Sequence, residues 1–289
     1  MIQRCGDSLE SLSVPLGEAA AHHVMGLKNL RVWKNVSSPP PIALPLSTSF
    51  PPLQMLVLNG KDAHGWVPWL ARRERRISDS RGKPIEHAGL KATLTHLEFC
   101  AWVHIDATFT SPCSLFRNLT FLSVQSNCGK TVDCAFSLTD QDVARLSAAL
   151  PRLEVLMLGF PCSTNTCRTT IACLLALSVH CKGLHQLRMH LDTTNLIGDV
   201  RSLSEDPHFR DLASLQTRCC LGAFHAGSMP FPHTTSDEDI VTIAAGFINI
   251  FPSLVDVNSY IGLGWTLLCL KVHELQGVPT SPLPELELP

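Results

Sequence analysis

Gly129-Lys130-Thr131 carries the ending of a phosphate-binding loop. That loop also needs an earlier glycine so that the backbone can wrap a phosphate, and the position is taken by Val124. His273-Glu274 opens the zinc-protease pattern His-Glu-x-x-His, but Gly277 stands where the second histidine is required. No Gly-x-Ser-x-Gly nucleophile elbow occurs. Cys162, Cys167, Cys173, His180, Cys181 and His185 crowd one stretch. Structural zinc takes two ligand pairs with roughly two to four residues inside each. Cys162 and Cys167 make one such pair and no second follows. Arg72-Arg73-Glu74-Arg75-Arg76, upstream of Ser78, reads as a solvated face or a basophilic kinase site. Asn35-Val36-Ser37 and Asn118-Leu119-Thr120 match glycosylation sequons, which matter only in a secreted chain. The expectation is a protein without cofactor or metal and not an enzyme, so its function must lie in a recognition surface.

The elements that would build such a surface repeat. Residues 137–191 read twice as an amphipathic helix, a tight break and a short strand. The strands share the phrase leucine-x-x-leucine-x-apolar: Leu153, Leu156 and Leu158, then Leu184, Leu187 and Met189, with Leu153 and Leu184 31 residues apart. A period of about 20–50 residues marks a repeat architecture. Side chains alternate faces along a strand, so Leu156 and Leu158 point to one side and Val155 and Met157 to the other. Val143, Leu146 and Leu150 form one helical face. Thr139 and Asp142 make a capping box, and Pro151 ends the helix. Ser236-Asp-Glu-Asp-Ile240 repeats Thr139-Asp-Gln-Asp-Val143, and its helix carries Ile240, Ile243, Ala244, Phe247, Ile248 and Phe251.

Matching the phrase along the chain gives leading leucines at Leu9, Leu27, Leu53, Leu94, Leu119, Leu153, Leu184, Leu215 and Leu254. The fold class expected is α/β: an irregular leucine-rich-repeat solenoid, horseshoe-like, with parallel strands on the concave face and helices on the convex face. The solenoid is expected over residues 1–260. Residues 261–289 are read as a capping helix at 261–276 followed by a proline-rich, disordered tail. Residues 16–25 read as a short helix, and a polar loop follows Leu191 to about Pro207. Residues 222–235 read as loop because they are rich in Gly, Pro and His. The first strand, around Leu9 and Leu12, has no polar cap before it, which reads as a chain beginning inside a repeat array.

The outward strand positions expected to line the concave face are Asn29, Arg31 and Trp33; His96 and Glu98; Phe121, Ser123 and Gln125; and Gln186, Arg188 and His190. Aromatic and arginine side chains commonly anchor protein interfaces. Hydrophobic residues make up 45% of the chain, enough to fill a core along its length. The formal net charge of −2 argues against a nucleic-acid or membrane-surface protein. Residues 1–20 lack an apolar signal sequence and no stretch is apolar enough to span a bilayer, so a cytoplasmic or nuclear location is expected. The 12 cysteines show no framework spacing and read as a reduced core.

Three stretches, Cys5-Gly-Asp-Ser-Leu-Glu-Ser-Leu-Ser-Val-Pro-Leu16, Ser49-Phe-Pro-Pro-Leu-Gln-Met-Leu-Val-Leu58 and Leu138-Thr-Asp-Gln-Asp-Val143 with Leu150-Pro-Arg-Leu-Glu-Val-Leu156, resemble fungal F-box proteins with irregular leucine-rich repeats. The resemblance covers nearly the whole chain as a style of repeat. It implies a substrate-recognition region of a ubiquitin-ligase receptor, whose partner is a protein. The family's F-box, which binds the Skp adaptor of a cullin–RING ligase, is not seen in this sequence, so adaptor binding is implied only if an F-box lies upstream. The alternatives are a standalone repeat scaffold unrelated to ubiquitin, or a secreted repeat receptor with disulfides.

Overall fold

A computed structural model describes residues 8–13, 23–24, 26–36, 51–59, 66, 90–101, 113–126, 137–159, 168–206, 219–227, 231–232, 235–259 and 263–279. Nine strands form one sheet: β1 (Ser11–Ser13), β2 (Val32–Val36), β3 (Met55–Asn59), β4 (His96–Ala101), β5 (Phe121–Ser126), β6 (Val155–Leu158), β7 (Gln186–Met189), β8 (Ala223–His225) and β9 (Asp256–Asn258). Their order in the sheet is their order in the chain, and every pairing is parallel. Helices alternate with the later strands: α1 (Leu90–Thr93), α2 (Asp140–Ala149), α3 (Ile171–His180), α4 (Leu196–Glu205), α5 (Asp237–Ile250) and α6 (Leu263–Gln276). The architecture is α/β, with each strand joining its successor through a crossover, as parallel pairing requires.

Register explains why the leucine phrase recurs. The pairing aligns Leu12, Trp33, Leu56, Leu97, Leu122, Leu156, Leu187, Phe224 and Val257 in one row across the sheet. A second row holds Leu58, Phe99, Val124, Leu158 and Met189. Both rows share a single core with the buried faces of α2, α3 and α5. Fully burying one such side chain stabilises the fold by about 1.5–3 kcal/mol, so these rows hold the units together. The turn entering each strand is fixed by paired backbone bonds: the Glu154 carbonyl accepts from His185 and Gln186, and the Thr120 carbonyl from Glu154 and Val155.

Both capping boxes are present. Thr139 with Asp142 opens α2, and Ser236 with Asp239 opens α5. Asp140 then reaches the next unit, where its carboxylate accepts from the Thr170 backbone N–H at 2.7 Å and the Thr170 hydroxyl at 2.8 Å. This stitches the start of α2 to the start of α3.

The structure corrects the frame of two units. The leading leucine before β2 is Leu30, not Leu27: Arg31, which follows it, occupies the turn position of Gln54 in the next unit. A shift of three residues is odd and reverses which side chains face inward. Trp33 therefore lies in the buried row, fully enclosed and edge-on to Trp66 at 5.5 Å. Before β8 the leading leucine is the buried Leu221; Leu215 lies outside the described residues. The expected loop at 222–235 contains β8, and the expected polar loop after Leu191 contains α4, whose Leu196 and Val200 are buried. In both places local composition favoured loop and tertiary burial decided otherwise.

The expected final helix is present as α6, which packs on α5 and β9. Of the expected helix at 16–25, residues 23 and 24 are described and helical. Among the described residues, no helix is long and apolar enough to cross a membrane.

Candidate functional site

The sheet face opposite the helices carries the alternate positions of every strand. Met55, His96, Phe121, Val155, Gln186, Ala223 and Asp256 align in one row. Val57, Glu98, Ser123, Met157, Arg188, His225 and Asn258 align in the next. Strand spacing sets these side chains roughly 4.8 Å apart, so neighbours touch. The His96 ring stacks on Phe121 with centroids 3.9 Å apart and planes within 6°. Its Nε2 lies 3.9 Å from Glu98 Oε2. Gln125 donates to Ser123 Oγ at 3.1 Å. With its amide oriented to suit its neighbour, Gln186 accepts from Arg188 Nε and Nη2 at 3.2 Å each. Asn258 donates to Asp256 at 3.0 Å.

Three zones result. His96, Phe121 and Glu98 form an aromatic and acidic end. Val155 and Met157 make a half-buried apolar centre. Gln186, Arg188, His225 and Asp256 form a polar end. Burial lowers the His225 pKa and the Arg188 charge lowers it further, against the opposing pull of Asp256. His225 is therefore a neutral hydrogen-bonding group near neutral pH, with its Nδ1 accepting from the Gly227 N–H at 3.0 Å.

Of the residues expected on this face, His96, Glu98, Phe121, Gln125, Gln186 and Arg188 stand on it, half-buried. Ser123 also belongs to its rows but is fully buried beneath its neighbours. Arg31 is exposed at the turn before β2, with Asn29 two residues earlier, at the edge of the sheet. Trp33 is excluded, because it belongs to the core.

His190 is excluded for a different reason. It follows β7 and is 3% exposed. Gly159 and Gly227 hold the corresponding places in the flanking units, both with positive φ. Without side chains there, the imidazole has room between the two glycines. Its Nε2 bonds the Gly159 carbonyl at 3.0 Å, and a Cβ on Gly227 would meet the ring at 2.6 Å. The sequence places Met157 on the outward side of its strand without marking it as a surface candidate, and does not single out His225 or Asp256. Strand parity alone marks Met157 and Asp256, whereas His225 was hidden by the misplaced frame of its unit.

The buried histidine makes stability depend on pH. Burial lowers the His190 pKa below its ordinary 6.5, with the bond to Gly159 opposing and the charge that His225 gains on protonation adding to the shift. The unfolded chain then binds more protons than the folded one as pH falls through 6.5. Stability is fully present above that value and declines below it. Thermal melts are expected to show Tm falling between about pH 7.5 and about pH 5.5, less steeply in His190→Gln. Equal slopes in the two proteins would remove His190 as the cause.

Among the described residues, the cysteines form no disulfide. Burial pushes the Cys113 and Cys181 thiols up to about 12 and Cys219 to about 11, so they behave as core side chains rather than nucleophiles. Among the described residues, no three His, Cys, Asp or Glu are placed to hold a metal ion. Cys162 and Cys167, Gly129-Lys130-Thr131, and Ser78 with its arginines lie outside the described residues. Asn118 donates to the Ala92 carbonyl at 2.9 Å, a structural use of one sequon asparagine, and Asn35 falls within β2. No protein-family model and no curated protein sequence matches this chain.

Proposed function

We propose that this chain is a leucine-rich-repeat protein-binding module that takes its partner on the exposed sheet face. The observation that carries the proposal is the register. A leucine phrase repeats unit by unit, all its inward positions enter one core, and the outward positions of the same strands form a continuous surface, half-exposed apart from the buried Val57 and Ser123. That surface offers an aromatic ring, a flexible apolar centre and an arginine held in place by Gln186, the combination that anchors protein interfaces. The resemblance to F-box repeat proteins supports a finer reading, the substrate-recognition region of a ubiquitin-ligase receptor acting in the cytoplasm or nucleus. The buried cysteines Cys113, Cys173, Cys181 and Cys219 serve as core side chains, which suits a reduced compartment.

Photo-crosslinking from position 157 tests the proposal, with position 141 on the exposed side of α2 as control. A discrete adduct from 157 is expected in extracts of the source cells. Phe121→Ala and Arg188→Ala should each weaken it by about thirtyfold, the effect of losing an anchor of ~2 kcal/mol. Equal labelling from both positions would sink the proposal. The ubiquitin reading has its own check: the product of the full-length transcript is expected to co-purify with the Skp adaptor, and failure to do so leaves only a binding module.

A further inference from the structure

The near-neutral net charge conceals a segregation along the helix direction. At the end where the helices begin, the acids Asp140 and Asp142, Asp199, and Asp237, Glu238 and Asp239 occupy first turns. They complement the positive helix ends. At the opposite edge, where each unit turns into its strand, cations recur: Lys28, Lys91, Arg117, Arg152 and Lys182 stand within three residues of the leading leucines Leu30, Leu94, Leu119, Leu153 and Leu184. The helices α2 and α3 are 10 residues long, or about 15 Å. This exceeds the screening length of ~8 Å at physiological salt. The acidic edge therefore does not cancel the basic one.

Helix C-termini also attract cations, so the row needs a stronger argument than polarity. Two observations supply it. Among the described residues, Arg117, Arg152 and Lys182 are exposed and make no ion pair. The Asn118 side chain already serves the α1 carbonyls, donating to Ala92 at 2.9 Å and reaching Lys91 at 3.4 Å. Beside that bond the surface opens into a cleft of ≈ 650 Å³ spanning three successive units, from Lys91 through Ser114, Arg117 and Asn118 to Ala149. Its described lining contains two cations and no carboxylate.

We propose that this edge is a second binding surface, distinct from the sheet face, whose Lys91–Arg117 cleft seats carboxylates of an extended acidic peptide segment in a partner protein. Arg152 and Lys182 continue the row on the next two units. Glu154 lies between them, with its Cγ 3.8 Å from the place of a Cβ on Gly183. A carboxylate there opposes the uninterrupted charge of a nucleic-acid backbone, whereas a peptide can present a neutral residue at that step. Single-stranded nucleic acid also requires exposed rings for stacking, and the large exposed hydrophobics described are Val241, Val255, Leu263, Leu267 and Leu275, none of them aromatic.

The experiment is fluorescence anisotropy of a labelled oligo-glutamate peptide titrated with the full chain. Saturable binding that weakens with added sodium chloride is expected. Lys91→Glu combined with Arg117→Glu should lower the affinity at least about tenfold in protein whose circular dichroism shows it folded. Should that pair fail to fold, Lys91→Gln with Arg117→Gln serves, with the same direction of change. Phe121→Ala on the sheet face should leave peptide binding intact, so loss of one surface is distinguishable from loss of the other. Unchanged affinity in both cleft pairs overturns the proposal. So does tighter binding of a single-stranded oligonucleotide than of the peptide at equal salt.

Discussion

Leu156→Ala and Leu158→Ala should each lower the unfolding free energy by about 2–5 kcal/mol, the cost of a cavity in a close-packed core. Both side chains are fully buried at the middle of the sheet. Leu156 is flanked in its row by Leu122 and Leu187, and Leu158 by Val124 and Met189. These rigid strand neighbours limit how far the cavity can collapse. Val155→Ala and Met157→Ala truncate the same strand on its half-exposed side and should cost less than about 1.5 kcal/mol. Urea unfolding of the four variants measures the contrast directly. Similar losses on the two faces would contradict the buried row. A native stability of about 5–15 kcal/mol means that combining the two leucine changes should leave little folded protein.

Trp265→Ala should cost about 3–5 kcal/mol and release α6 in particular. Trp265 is 1% exposed. It meets Phe231 edge-on at 5.3 Å and Phe224, the β8 member of the inward row, at 6.2 Å. The helix approaches closely because Gly264 precedes the tryptophan: a Cβ there would fall 2.5 Å from the Phe231 ring. Hydrogen exchange should show amides of 263–276 losing protection first, while those of β5 to β7 keep theirs. Uniform loss of protection would mean that α6 is not a separate shield at this end.

How much of this was legible in the sequence depended on the strength of the local signals. The units led by Leu119, Leu153 and Leu184 carry a full leucine phrase, and the structure places their strands where the phrase does. The capping residues Thr139 and Ser236 were equally clear, because a cap is a local hydrogen-bonding device. The frame failed where aromatic side chains replace leucine. Trp33 and Phe224 fill inward positions that a search for aliphatic residues passes over. The loop assignment near β8 failed because Gly222 and Gly227 flank a strand of only three residues. The burial of His190 had no local signature, since it depends on glycines in two neighbouring units, at 159 and 227.

A sheet whose spatial order follows the chain has a kinetic consequence. Each strand pairs only with its sequence neighbours, and helix contacts likewise run mainly between successive units. Pairing between sequence neighbours closes shorter stretches of chain than pairing between distant strands, so ordering can nucleate in one unit and propagate outward like a zipper. The strongest nucleus should be the stretch from β5 to β7, where leucine rows and helices are most complete. From there the boundary between ordered and unordered chain would advance one unit at a time toward either end.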